Sequence, residues 1–433
     1  MKFYSTNNTS ERVTLEEAVT RGLAPDNGLY MPERITPLSV EFIAGIRERS
    51  FADNAFGIAK HLLGESIPEG ELRSIVEHTV SFDAPLHEIE PGIYALELFH
   101  GPTMAFKDYG ARFMSRVLGY FAKRQEREII ILAATSGDTG SAVANGFLGV
   151  EGTKVVVLYP KGKVSEIQEK QFTTLGRNIT ALEVDGTFDD CQHLVKQAFL
   201  DEELRNRYFL TSANSINIAR LIPQSFYYFR ALSQLPASDR PVVVSVPSGN
   251  FGNLTAGLLA QRIGLPVHHF VAATNVNDIV PEYLRTSVFM PRTSTATISN
   301  AMDVGNPSNF VRMLELFNHD HNALSRAITG YAFTDEETRR AMREVYRTTK
   351  YVLDPHGAVG YLGLKRYMKD VGDATGVFLE TAHPAKFKET VDVTLESDIQ
   401  IPDKLMEFMK GEKQSVQVGR EYDEFKTFLC DNF

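Results

Sequence analysis

The sequence predicts an α/β fold of two parallel-sheet α/β domains, with an N-terminal, largely helical region in front of them. Two observations carry this expectation. First, EIIILAA (128 to 134), TKVVVLYP (153 to 160) and PVVVSV (241 to 246) are short, nearly continuous apolar runs rich in Ile and Val. Strands buried on both faces of a parallel sheet have that character. Second, two of these runs lead through a glycine-containing loop into a helical segment and then a further strand. TSGDTG opens into SAVANGFLG, and PSGNFGN opens into LTAGLLAQRIG. Each is a βαβ unit, which places its two strands in parallel.

At 433 residues the chain is too long for one ordinary core. The expected division is an N-terminal region over 1–95, an α/β domain over 96–235 and a second over 236–433, with RALSQLPASDRP (230 to 241) as the candidate link. In TLEEAV, Thr14 and Glu17 have capping-box spacing, and Pro25, Gly28, Pro32 and Pro37 mark a turn-rich stretch. Towards the end, TDEETRRAMREVYRTTK reads as a charged helix and GVFLETAHPAKF as a strand running into a loop.

Hydrophobic residues make up 43% and charged residues 23%, the balance of a globular protein. The net charge of -10 and the lack of a basic stripe argue against nucleic acid as a partner. No run is long and apolar enough for a membrane span, and the N-terminus has no apolar leader core, so a cytoplasmic enzyme is expected. Cys191 and Cys430 lack metal-ligand spacing and read as inert thiols; no metal site is expected.

Three segments carry candidate chemistry. In HGPTMAFKDYGARF (100 to 113), Lys107 sits in a mostly apolar frame between Phe106 and Asp108. Desolvation there favours the neutral, nucleophilic amine, although a Lys beside an Asp is more often a surface ion pair. PSGNFGN (247 to 253) follows a strand and opens a helix. Its main-chain N–H groups, with the helix dipole behind them, suit an anion. It has no Walker lysine and no dinucleotide spacing. TSGDTG (135 to 140) takes the equivalent place in the first βαβ unit, where Thr135, Ser136, Gly137 and Thr139 would face a second anion such as a substrate carboxylate. Two such loops at strand ends are what a cofactor phosphate and an amino-acid carboxylate require.

HGPT with FKD, then TSGDTG, PSGNFGN and ETAHPAKF, all in order, resemble the threonine synthase family. The resemblance runs from DNGLYMPE (26 to 33) to at least Phe387. It implies the fold-type II, tryptophan synthase β-like architecture, with pyridoxal 5'-phosphate in a cleft between the domains. It further implies that Lys107 forms the Schiff base and that Ser248, Gly249, Asn250, Phe251, Gly252 and Asn253 hold the cofactor phosphate. Thr381 would offer its hydroxyl to the pyridine nitrogen. The implied activity is conversion of O-phospho-L-homoserine and water to L-threonine and phosphate by γ-elimination and β-addition.

Asp138 stands where many relatives of this fold type carry Asn, and an ionised carboxylate beside the cofactor phenolate would repel it. Either it is protonated, or it points at the substrate or at neighbouring backbone. For the substrate phosphate the candidates are Lys161, Lys163 and Arg220, with Asn214, Ser215 and Asn217 as hydrogen-bond donors; Arg suits bidentate phosphate contacts. His356 and His383 read as residues that orient loops. The alternatives are another fold-type II lyase or dehydratase, such as a phospholyase, and a non-catalytic cofactor-binding protein. The oligomeric state stays open between monomer and dimer.

Overall fold

A computed structural model describes residues 1–123 and 128–433. The chain opens with β1 (Phe3–Ser5) and β2 (Tyr30–Pro32), paired in a two-stranded sheet, with the helix Leu15–Arg21 between them. Thr14 caps that helix by accepting from the Glu17 N–H at 3.2 Å. The Glu17 carboxylate turns to Arg21, also at 3.2 Å, so only half of the expected box forms. A hairpin of β3 (Leu86–Glu90) and β4 (Ile93–Glu97) follows two longer helices. Strands then alternate with helices through β5 (Ile129–Ala134), β6 (Thr153–Pro160), β7 (Ile179–Val184) and β8 (Phe209–Ser212). The alternation continues with β9 (Val242–Pro247), β10 (His269–Thr274), β11 (Ile328–Ala332) and β12 (Thr375–Glu380), and β13 (Val416–Val418) comes last.

Two compact units hold these elements, each assembled from separated stretches of chain. The first comprises Met1–Met31, Lys107–Arg220 and Ile401–Phe433; the second comprises Pro32–Phe106 and Leu221–Gln400. The N-terminal region is therefore shared between the units. Residues 230 to 241 lie inside the second, and the chain leaves the first at Arg220. The tail returns to the first unit because β13 adds to the sheet as an edge strand beside β7 and the helix Tyr422–Asn432 buries Phe425 and Leu429 in that unit's core. No local pattern signals such a return.

The first unit is built on a five-stranded sheet of order β13-β7-β6-β5-β8, parallel throughout. Every residue of β5 is buried, as its apolar run requires. The second unit has a six-stranded sheet of order β11-β10-β9-β12-β4-β3, parallel except for the β3 edge. In both sheets the chain walks to one side and then reverses. It steps from β5 through β6 to β7 and comes back to β8 on the other flank of β5. Likewise it steps from β9 through β10 to β11 and returns to β12 on the other flank of β9. Ligand crevices of open parallel sheets form beyond the carboxyl ends of the strands at such reversals.

The helix Pro355–Val371 covers β9, β10 and β12 and packs through a stripe of small residues. A Cβ on Gly363 would lie 2.9 Å from Ala273 Cβ, 3.0 Å from Ser245 Oγ and 3.2 Å from Val271 Cγ1. Ser245 Oγ in turn donates to the Gly360 carbonyl at 2.7 Å, a bond only a closely seated helix can accept. Replacing Gly363 with Val overfills this contact. The expected loss is about 1–3 kcal/mol, read as a lowered Tm and an earlier urea midpoint; an unchanged melting curve would show that the helix does not seat this closely.

Candidate active site

The second unit carries the loop between β9 and the helix Gly252–Arg262. Ser248 is buried; its N–H donates to Ala273 O at 3.0 Å and its hydroxyl to Asn253 Oδ1 at 2.8 Å. Asn253 Nδ2 reaches back to Pro247 O at 2.8 Å, and the Tyr228 hydroxyl supports Asn253 O at 2.7 Å. These two side chains thus staple the loop to itself. The Ser248 proton expected to face a phosphate is spent on Asn253, and a role as phosphate donor requires the hydroxyl to rotate. Phe251 stands in the left-handed region at φ 59 and is held there by Thr255, whose hydroxyl and N–H both donate to Phe251 O. A left-handed residue in such a loop turns consecutive N–H groups towards one side. Among the described residues no acceptor takes the main-chain N–H groups of Gly249, Asn250, Phe251, Gly252 or Asn253. Consecutive unclaimed donors at a helix N-terminus fit a phosphate dianion. Asn250 works outwards, its Oδ1 accepting from the Ser308 N–H and hydroxyl at 3.2 and 3.0 Å.

β12 flanks β9 at the reversal, and Thr381 is the first residue beyond it, 5% exposed. Two motifs far apart in sequence interlock here. Ala105 and Ala382 form an antiparallel bridge, and the Phe106 N–H donates to Thr381 O at 2.9 Å. Lys386 Nζ, itself buried, donates to Thr103 O at 2.8 Å, and the His383 N–H donates to Met104 O at 3.1 Å. Thr381 is therefore fixed against the strand of chain that ends at Phe106. His383 is a loop-orienting residue, as expected: its Nδ1 accepts from the Ala385 N–H at 3.1 Å, and burial pushes its imidazole down to about 4, so it is neutral at pH 7.

In the first unit Lys107, half-buried, opens the helix Lys107–Ala122. The loop TSGDTG leaves β5 at its reversal. Thr135 Oγ1 accepts from the N–H groups of Gly137 and Gly140 at 2.9 and 2.8 Å, folding the loop over a buried hydroxyl. Thr135 thus shapes the loop, whereas Ser136 and Thr139 remain partly exposed on it. Asp138, the residue of open role, accepts from Gln168 Nε2 at 2.8 Å, and Gln168 Oε1 is held by the Ser165 hydroxyl at 3.0 Å. The carboxylate at the first turn of the helix Asp138–Phe147 is thus engaged by an amide donor and favoured by the helix dipole. Gly137, at φ 137, would press a Cβ to 2.5 Å from the Gln168 side chain, so the same residue also fills the space over the loop.

The loop after β8 lies across the reversal from TSGDTG. Asn214 belongs to it, with its Nδ2 a long 3.5 Å from Ala134 O, and Ser215 is partly exposed beside it. Asn217 is fully buried. Its amide donors go to Val19 O at 2.8 Å and Ser212 O at 3.3 Å, and its Oδ1 takes the Ala219 N–H, so the expected ligand donor is a structural brace. Arg220 is only 3% exposed. Its Nη1 donates to Ala213 O at 2.5 Å, and a Cβ on Gly110 would touch its Nε at 2.8 Å. Burial pushes the guanidinium down to about 10, against the pull of the Asp108 carboxylate, and it stays cationic at neutral pH. Lys161 and Lys163 are exposed on the turn after β6. Arg112, half-buried and also attracted by Asp108, is a cation of the same unit that the sequence did not single out.

The family described as pyridoxal-phosphate dependent enzyme matches residues 79–381, and the threonine synthase N-terminal and C-terminal families match residues 2–80 and 357–429. A threonine synthase of Haemophilus influenzae is 46% identical over 99% of this chain and 99% of its own length. The chain belongs to the threonine synthase family. Among solved members, the Escherichia coli threonine synthase superposes with a TM-score of 0.93 at 43% identity, covering 100% of both chains. A pyridoxal-phosphate-bound threonine synthase of Brucella melitensis gives 0.92 at 34% identity, covering 99% of this chain and 98% of its own. The expected fold-type II architecture holds.

Gln168 is the site residue that the sequence reading missed, since thirty residues separate it from Asp138 and nothing local marks the contact. Gln168→Glu would set two carboxylates face to face. That pair raises the folded-state pKa of one carboxyl above its unfolded value. The variant is therefore nearly intact where the pair holds a proton and progressively destabilised as pH rises. The Tm deficit relative to wild type should be larger at pH 8 than at pH 5; a deficit independent of pH would show that these side chains do not meet.

Proposed function

We propose that this chain catalyses the conversion of O-phospho-L-homoserine and water to L-threonine and phosphate with pyridoxal 5'-phosphate as cofactor. The observation that carries the proposal is the β9/β12 reversal, where a loop of unclaimed N–H groups and a strand-end threonine lie on neighbouring strands. A phosphate and a pyridine nitrogen call for these two features. Family membership supplies the reaction. The site roles assigned to the chain's residues belong to the same proposal.

The cofactor, when bound, supplies an electron sink for carbanion character at the substrate Cα and Cβ. The chain supplies the rest. Lys107 Nζ holds the cofactor in the resting enzyme. With the substrate amine bound, Lys107 Nζ would be the base that takes the proton from Cα and handles the proton at Cβ. The N–H groups of Gly249 to Gly252 hold the cofactor phosphate, with Ser248 and Asn253 keeping the loop in shape. The Thr381 hydroxyl would be a neutral partner for the ring nitrogen, and a neutral partner would moderate the sink. Ser136, Thr139 and the N–H groups at the start of the helix Asp138–Phe147 bind the substrate carboxylate, while the Asp138 carboxylate is engaged by Gln168. Arg220, Asn214 and Ser215 face the leaving phosphate, and a guanidinium already desolvated by its surroundings loses little further hydration on meeting it. Lys161 and Lys163 contribute as exposed charges that draw the anionic substrate in.

The discriminating experiment measures both products. With O-phospho-L-homoserine, phosphate and L-threonine should appear in equal amounts; phosphate without threonine would identify a phospholyase instead. Lys107→Ala should lower turnover by at least about a thousandfold, through loss of both attachment and the acid–base group. It should also abolish the visible absorbance of the loaded protein while leaving its fold intact. A Lys107→Ala protein that keeps that absorbance would place the attachment on another lysine.

A further inference from the structure

The second unit holds a buried dyad that the reaction does not use. Asp354 is fully buried and caps the helix Pro355–Val371. Its Oδ1 accepts from the His356 N–H at 2.8 Å and its Oδ2 from the Gly357 N–H at 3.2 Å. The His356 ring, 3% exposed and packed on Phe387, brings Nδ1 to 2.7 Å from the same Asp354 Oδ1. On the other side the Ala301 N–H points at His356 Nε2 at 3.2 Å. A main-chain N–H can only donate, so Nε2 accepts and the ring proton lies on Nδ1, facing the carboxylate. Both ring nitrogens are thus committed, one to the helix cap and one to a loop.

That loop leads to the cofactor-phosphate segment. Ala301 belongs to the short turn Asn300–Met302, and a Cβ on Gly249 would lie 2.8 Å from both Ala301 O and Met302 Cα. The turn rests directly on the second residue of SGNFGN. Further along, Asn250 ties down the same stretch through Ser308, and Asn250 O accepts the Asn309 N–H at 3.1 Å. At its near end the stretch is knotted by Asp303, which accepts from the Thr297 hydroxyl at 2.7 Å and from Asn275 Nδ2 at 2.8 Å. Residues 299 to 309 therefore form a clasp around the outside of the phosphate loop, and His356 links that clasp to the helix that covers the sheet.

We propose that His356 is a positioning residue for the cofactor phosphate. Oriented by Asp354, it fixes Ala301 against Gly249 and so sets the directions of the N–H groups of Gly249 to Gly252. It touches neither cofactor nor substrate. This inference rests on the reading of that loop as the phosphate site, and the test separates the two.

The apo protein would be titrated with pyridoxal 5'-phosphate and, separately, with pyridoxal, which keeps the aldehyde for Lys107 but lacks the phosphate. Two variants are compared with wild type. His356→Leu keeps bulk and removes both hydrogen bonds; His356→Gln restores an acceptor that can reach the Ala301 N–H. In His356→Leu the Kd for pyridoxal 5'-phosphate should rise about tenfold while the Kd for pyridoxal stays within about twofold, and His356→Gln should recover part of the loss. Equal losses for both ligands, or no loss for either, would overturn the positioning role. If His356→Leu does not fold, His356→Gln alone decides, since a Kd unchanged for one ligand and raised for the other requires the phosphate-specific effect. Should wild type itself bind pyridoxal as tightly as its phosphate ester, the loop would not be the phosphate site at all.

Discussion

Neighbouring strands of a parallel sheet all point their carboxyl ends the same way, and their connections normally leave towards the same side. Only where the strand order reverses do two adjacent loops diverge and leave main-chain donors uncovered. The rest of this structure depends on that constraint. It acts at β9 and β12, where PSGNFGN and Thr381 emerge, and again at β5 and β8, where TSGDTG and the run to Arg220 emerge. Several side chains around each reversal shape the loops and present no ligand group themselves. Asn253, Thr135 and Gln168 are spent holding the loops in shape, and Thr135 itself takes the N–H groups of Gly137 and Gly140.

In the proposed site, this division of labour reconciles a net charge of -10 with anion binding. Main-chain N–H groups carry no formal charge, and their desolvation costs far less than that of a buried ammonium. The one deeply buried guanidinium described in the first-unit site, Arg220, is anchored by Ala213 O and attracted by Asp108, which offset part of the cost of burial. Lys161 and Lys163 avoid that cost by staying exposed.

Much of this was legible in the sequence because it is encoded locally. The apolar runs of β5, β6 and β9 name buried strands, and each anion loop is specified by a few adjacent residues that set backbone conformation. The alternation of strands and helices gave the α/β class. What could not be read is the set of contacts that close through space. Thr103 to Phe106 meet Thr381 to Lys386, Gln168 meets Asp138, and Asn217 braces Val19, with no periodicity linking the partners. The return of the tail from Ile401 to the first unit is equally silent, since a three-residue edge strand and a short helix carry no address. Residues were thus identified by chemical type more readily than by which of their atoms are already engaged.

The central claim is that the N–H groups of Gly249 to Gly252 hold a phosphate in its dianionic form. The direct measurement is ³¹P NMR of the protein loaded with pyridoxal 5'-phosphate, followed from about pH 6 to about pH 9. A free phosphate monoester titrates near pH 6 in this range. Donors converging on a dianion depress that titration below the range, so the bound resonance should keep one chemical shift throughout. A bound resonance that moves with pH as the free ester does would mean that the phosphate is solvated, and would contradict the account.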